Sequence, residues 1–117
     1  MAKTLQYTIF RYAPIGSDYS INLGVLFHEE ELDYRKFYFS SKCTQLEQFQ
    51  GQVDISIVEK LLKGMKEEIE DEYRHNFDIQ SYIQFYINDF SFSEVQTVVY
   101  SKLKEAVAAI YSTYMEW

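Results

Sequence analysis

The stretch that most constrains this chain runs from Tyr19 to Phe27, where Tyr19, Ile21, Leu23, Val25 and Phe27 alternate with Ser20, Asn22 and Gly24. A period of two sends successive side chains to opposite faces, so this segment has the pattern of a half-buried strand. Leu5 to Tyr12 is rich in Tyr, Thr, Ile and Phe and reads as a second strand, with Pro14, Gly16, Ser17 and Asp18 supplying turn chemistry between the two. The simplest connection is an antiparallel hairpin with a loop of about six residues. The acidic run Glu29 to Glu31 forms the next loop, and Tyr34, Phe37, Tyr38 and Phe39 predict a third strand that completes an N-terminal meander.

Helical patterns follow. Ser40 to Gln50 predicts a short helix carrying Leu46 and Phe49 and ended by Gly51. Ser56 and Glu59 have capping-box spacing ahead of Val58, Leu61, Leu62, Met65, Ile69 and Tyr73, which recur at helical intervals. Glu59 with Lys63 and Lys66 with Glu70 would pair along the outer face of that helix. Asn76 is its expected stop, and Asp78 is placed to cap a shorter helix with Ile79, Tyr82, Ile83 and Tyr86 on one face. Residues 93–100 admit two readings: a strand near Phe92 to Val98 before a helix from about Ser101, which is preferred, or one helix capped by Ser93 and Gln96. The resulting fold class is α+β in a single domain over residues 1–117, a mainly antiparallel sheet of three to four strands with helices packed on one face.

Composition narrows the function. Eleven Tyr and nine Phe against one Trp, in 117 residues, imply a core built largely from rings. A net charge of −7 repels phosphate backbones and anionic membranes and favours a basic protein partner. The lone Cys43 can form no internal disulfide, and no stretch approaches the roughly 20 apolar residues of a membrane span, so a cytoplasmic location is expected.

Few residues offer site chemistry. Arg11 and Asn22 are brought to one sheet face by a hairpin closed across Tyr12 and Tyr19, with Ser20 beside them; they either grip a carboxylate or phosphate or tie down the hairpin through backbone carbonyls. Gly24 marks a bulge or a close approach. His28, Cys43 and His75 are scattered without metal-ligand spacing and read as surface residues, so neither a metal nor a cofactor is expected. Two acidic patches stand out, Glu29, Glu30 and Glu31 with Asp33, and Glu67, Glu68, Glu70, Asp71 and Glu72. They are either solvated surface or a face that imitates a polyanion. Tyr82, Tyr86, Tyr111, Tyr114 and Trp117, with Phe85 and Phe90, exceed what a small core easily hides and are candidate interface anchors, for a partner or for self-association.

The order Tyr7-Thr8-Ile9-Phe10-Arg11-Tyr12-Ala13-Pro14, followed by Asn22-Leu23-Gly24-Val25-Leu26, resembles the opening of the domain of unknown function 3037 family. That resemblance covers about the first quarter of the chain and implies a small prokaryotic or phage-encoded cytoplasmic domain. It also implies association with kinases of toxin and antitoxin modules or with a defence system. It brings no established activity, and the loop after Pro14, which tends to be basic in the family, here reads Ile15-Gly16-Ser17-Asp18-Tyr19. Three functions are expected in this order: a non-enzymatic protein-interaction module, an acidic nucleic-acid-mimicking inhibitor, and a small enzyme using Arg11 and Asn22 as an anion grip with an acidic base.

Overall fold

The alternating segments form the predicted meander. In the computed structural model, which describes residues 3–14, 16, 18, 20–40, 54–72, 77–84 and 89–115, β1 (Lys3–Tyr12), β2 (Ile21–Glu29) and β3 (Tyr34–Phe39) pair antiparallel in sequence order. The hairpin register differs from a closure across Tyr12 and Tyr19: Tyr12 pairs with Ile21 and Arg11 with Asn22. The ladder also carries a bulge. Phe10 faces Gly24 while Arg11 faces Asn22, leaving Leu23 as an extra residue of β2.

The far edge of β1 is covered by two short segments rather than one strand. β4 (Phe90–Phe92) pairs with Phe10 to Tyr12, and β5 (Gln96–Tyr100) pairs with Lys3 to Tyr7, both antiparallel. The continuous strand expected over Phe92 to Val98 is broken because its apolar phase inverts. Phe90 and Phe92 enter one core, whereas Val98 and Tyr100 enter the other. Ser93 fills the break. Its N–H donates to the carbonyl of Ile9 at 2.8 Å, its Oγ accepts the Ile9 N–H at 2.9 Å, and its carbonyl accepts from the buried Thr8 hydroxyl at 2.6 Å.

The expected α+β class and antiparallel sheet are present, but the helices cover both faces. α1 (Ile55–Glu67) continues through a π-helical turn (Glu68–Glu72) and packs, with α2 (Ile79–Tyr82), over Phe10, Tyr12, Leu26 and Phe37. α3 (Leu103–Met115) packs over Leu5, Ile9, Val25 and Phe27 on the opposite face. Ile9 and Phe10, like Val25 and Leu26, are chain neighbours that point to different cores, so a one-sided arrangement would leave one apolar face in water. The predicted helix over Ser40 to Gln50, the position of Tyr73 and the stop at Asn76 lie outside the described residues.

Capping also differs in one place. Asp54 caps α1, its carboxylate accepting the N–H groups of Ser56 at 3.0 Å and Ile57 at 3.4 Å, so the Ser56 and Glu59 box is not used. A carboxylate accepts at the positive helix end as well as a hydroxyl does, and Asp54 stands nearer the helix start. Asp78 caps α2 as expected, accepting the Gln80 N–H at 3.1 Å.

Candidate functional site: a groove between β3 and α3

α3 leaves the outer strand of its sheet face only partly covered. Tyr34, Lys36 and Tyr38 alternate onto that face of β3, and Lys104, Val107, Ala108 and Tyr111 stand opposite on α3. With Phe39 they line a groove of about 660 Å³. That volume lies within the roughly 300–1,000 Å³ of ligand-binding clefts, and the lining is mostly aromatic and aliphatic with a lysine from each wall, the composition such clefts have.

The aromatic wall is held in place from several sides. The Tyr34 and Tyr38 hydroxyls lie 3.2 Å apart in a hydrogen bond, and Tyr38 meets Tyr111 edge-on with ring centroids 6.3 Å apart. Lys66 Nζ lies 5.2 Å from the centre of the Tyr38 ring, a cation–π contact. Burial, then the hydrogen bond to Tyr38 and the nearby Tyr38 and Glu70 charges, raise the Tyr34 pKa well above the ordinary tyrosine value. The phenol therefore stays protonated at neutral pH and offers hydrogen bonds rather than a base.

The outer edge of β3 is closed beside this groove. Glu70 accepts the N–H of Phe37 at 3.1 Å, and Lys66 donates to the carbonyl of Phe37 at 3.2 Å and to Glu70 at 2.6 Å. Lys36 approaches the other Glu70 oxygen at 3.6 Å. One carboxylate and one ammonium thus occupy the main-chain groups of Phe37, which hinders an incoming strand at that point of the edge and favours side-chain insertion into the groove.

The residues singled out in the sequence fall into different roles. Arg11 and Asn22 share a sheet face, as expected, and the observed register sets them directly opposite each other, but Asn22 Nδ2 donates to the carbonyl of Tyr114 at 3.0 Å. That bond ties the hairpin to the carbonyl end of α3, which for Asn22 is the structural alternative of the two, whereas Arg11 Nε is buried without a hydrogen-bond partner. Tyr114 packs tilted on Tyr7 at 5.9 Å, and their hydroxyls are 3.4 Å apart. Burial and this partner push the Tyr7 pKa up to about 12. Tyr82 is buried between Phe77 and Phe92 and is a core residue rather than an exposed anchor. Of the tyrosines, Tyr111 lines the groove; Tyr86 and Trp117 lie outside the described residues.

The acidic patches are divided in the same way. Glu29 is buried at the end of β2, where it accepts the Tyr100 hydroxyl at 2.6 Å and the Glu31 N–H at 2.9 Å, and Glu70 is committed to β3. Glu30, Glu31, Glu67 and Asp71 are exposed and Glu68 is half-buried, while only the backbone of Glu72 is described. His28, read as a surface residue, is buried, its ring edge-on to Phe77 at 5.0 Å. Cys43 and His75 lie outside the described residues. Tyr34 and Tyr38, the aromatic wall of the groove, were legible only as strand residues. Their shared face follows from the period of two, but the gap beside α3 depends on where that helix lies.

Comparison with protein-family models, with curated proteins and with solved structures returns no match for this chain.

Proposed function

We propose that the protein is a non-enzymatic interaction module that takes an apolar side chain of a protein partner into the groove between β3 and α3. The observation that carries this reading is the groove itself: two tyrosines of a strand face and one of a helix enclose about 660 Å³, with Lys36 and Lys104 at its sides. An aromatic or large aliphatic side chain fits that lining, and carboxylates flanking it in the partner segment meet the two lysines. Asn22, one half of the alternative anion grip, is instead engaged with the end of α3.

Polyanion mimicry has less support, because Glu29 and Glu70, one from each acidic patch, are turned to internal hydrogen bonds. On the resemblance to the domain of unknown function 3037 family, the partner we propose is a kinase-like toxin component or a defence factor, met in the cytoplasm. No helix among the described residues is long and apolar enough to cross a membrane.

The test is paired affinity capture from the native cell with the wild-type chain and with Ala108→Trp, which fills the groove from an exposed helix position. The wild type is expected to recover a specific protein that Ala108→Trp loses by about tenfold or more. Recovery of the same protein at the same level by both chains would count against the groove.

A further inference from the structure

The sheet has two outer edges, β3 on one side and β5 on the other, and β5 pairs with β1 alone among the described residues. In an antiparallel ladder the main-chain N–H and C=O of one residue point to the same side, and those of the next residue to the other. Ile9 points toward β4 and β5, since its carbonyl accepts the Ser93 N–H and its own N–H donates to Ser93 Oγ. Counting back along β1 by twos, Tyr7, Leu5 and Lys3 point the same way, and their partners Gln96, Val98 and Tyr100 are the residues of β5 that bond to β1. The main-chain groups of Thr97 and Val99 therefore point away from the sheet. The same count, carried through Thr8 and Leu26, turns Phe37 of β3 outward, where Glu70 and Lys66 take up its N–H and C=O.

The β5 edge carries none of the usual guards. Gln96 to Tyr100 has no charged residue and no proline, the devices that keep an edge strand from pairing. Gln96, Thr97 and Val99 are exposed, Val99 at 66%, while α3 runs toward the far edge, where Tyr111 meets Tyr38. The segment is also complementary to itself. Turned end for end about Val98, Thr97 of one copy lies opposite Val99 of the other, so that the outward main-chain groups of both residues find partners. Val98 then faces Val98 and Gln96 faces Tyr100, and beyond the strand ends Glu94 of each copy faces Lys102 of the other. Lys102 is held loosely, 3.8 Å from Glu105 with both side chains 75% exposed, and is available for that contact. Centring the pair on Thr97 or on Val99 would set Val99 against Val95, or Thr97 against Ser101, outside the strand, and would separate Glu94 from Lys102.

We propose that β5 is the interface with a second copy of this chain, the two strands pairing antiparallel about a two-fold axis at Val98 and joining the two sheets into one. Thr97 and Val99 exchange main-chain hydrogen bonds across the seam, β-branched side chains meet on its face, and Glu94 and Lys102 fix the register from its ends. The seam is short, so the dimer dissociates on dilution. It does not depend on the groove, which lies at the opposite edge of the sheet.

Sedimentation equilibrium of the wild-type chain from about 10 µM to about 1 mM tests this, with amide hydrogen exchange to place the contact. A monomer–dimer equilibrium is expected, with protection of the Thr97 and Val99 amides rising with concentration and that of Val98 unchanged. Val99→Lys, at an exposed position, should weaken the dimer by about tenfold or more while circular dichroism reports an intact fold. Glu94→Lys and Lys102→Glu should each weaken it by about threefold to tenfold, because each pair occurs twice, and the two combined should restore it. A chain that stays monomeric to about 1 mM would overturn the proposal. So would a dimer indifferent to Val99→Lys, which places the contact elsewhere, or a combined charge reversal that restores nothing.

Discussion

At the scale of single residues, the tightest constraint is at Gly24. A Cβ built there would stand 2.7 Å from Cζ of Phe37 and 2.9 Å from the Tyr38 carbonyl oxygen. Phe37 is fully buried among Phe10, Leu62 and Ile69, so its ring has nowhere to go. Gly24→Ala is therefore expected to cost about 1–3 kcal/mol, read as a lower urea midpoint at unchanged slope. A stability equal to wild type would show that the bulge relaxes around the methyl group. That Gly24 sits at a bulge or a close approach could be read from the sequence, because a glycine weakens an alternating strand unless the backbone kinks there or a neighbour crowds it. The burial of Glu29 and His28 could not: each depends on a distant partner, Tyr100 for the one and Phe77 for the other.

At the scale of elements, the sheet edge and the helix beside it are coupled through Glu70. Burial alone would raise its pKa, but the hydrogen bonds from Lys66 and the Phe37 N–H, with the charges of Lys66 and Lys36, outweigh burial and hold it below the ordinary 4.5. The folded chain thus binds this proton less tightly than the unfolded chain. The stabilisation is fully present above pH 4.5 and is lost as pH falls through the lower, folded value. Glu70→Gln should lower stability by about 1–3 kcal/mol at neutral pH and show a shallower decline below pH 4.5, measured by urea unfolding across that range. Parallel pH profiles for the two chains would contradict this role. The same elements mark where sequence reasoning stops. Lys66 and Glu70 were recognisable as a helical pair four residues apart, yet nothing in that spacing says that they face β3 rather than water. The break at Ser93 was hidden for a related reason: Phe92 and Val98 share a period-two phase, and only the two cores reveal that it inverts between them.

At the scale of the molecule, the sheet is apolar on both faces, and β2 carries the consequence, with Val25 and Phe27 in one core and Leu23 and Leu26 in the other. Each face needs a helical layer. α1 with its π turn lies against the edge strand and closes it at Phe37, whereas α3 leaves Tyr34, Lys36 and Tyr38 lining a groove. The fold class and the meander could be read from periodicity alone, since they follow from which residues alternate. The groove could not, because it is the space left over once helices have been divided between two faces. The central claim, that this groove is where a partner binds, is tested most directly by placing the photo-crosslinking residue p-benzoylphenylalanine in living cells at Tyr111, in the groove, or at Ile57, exposed at 62% on α1. Irradiation should yield a discrete crosslinked protein from position 111 and none from position 57, whereas equal crosslinking at both positions, or none at 111, would contradict the claim.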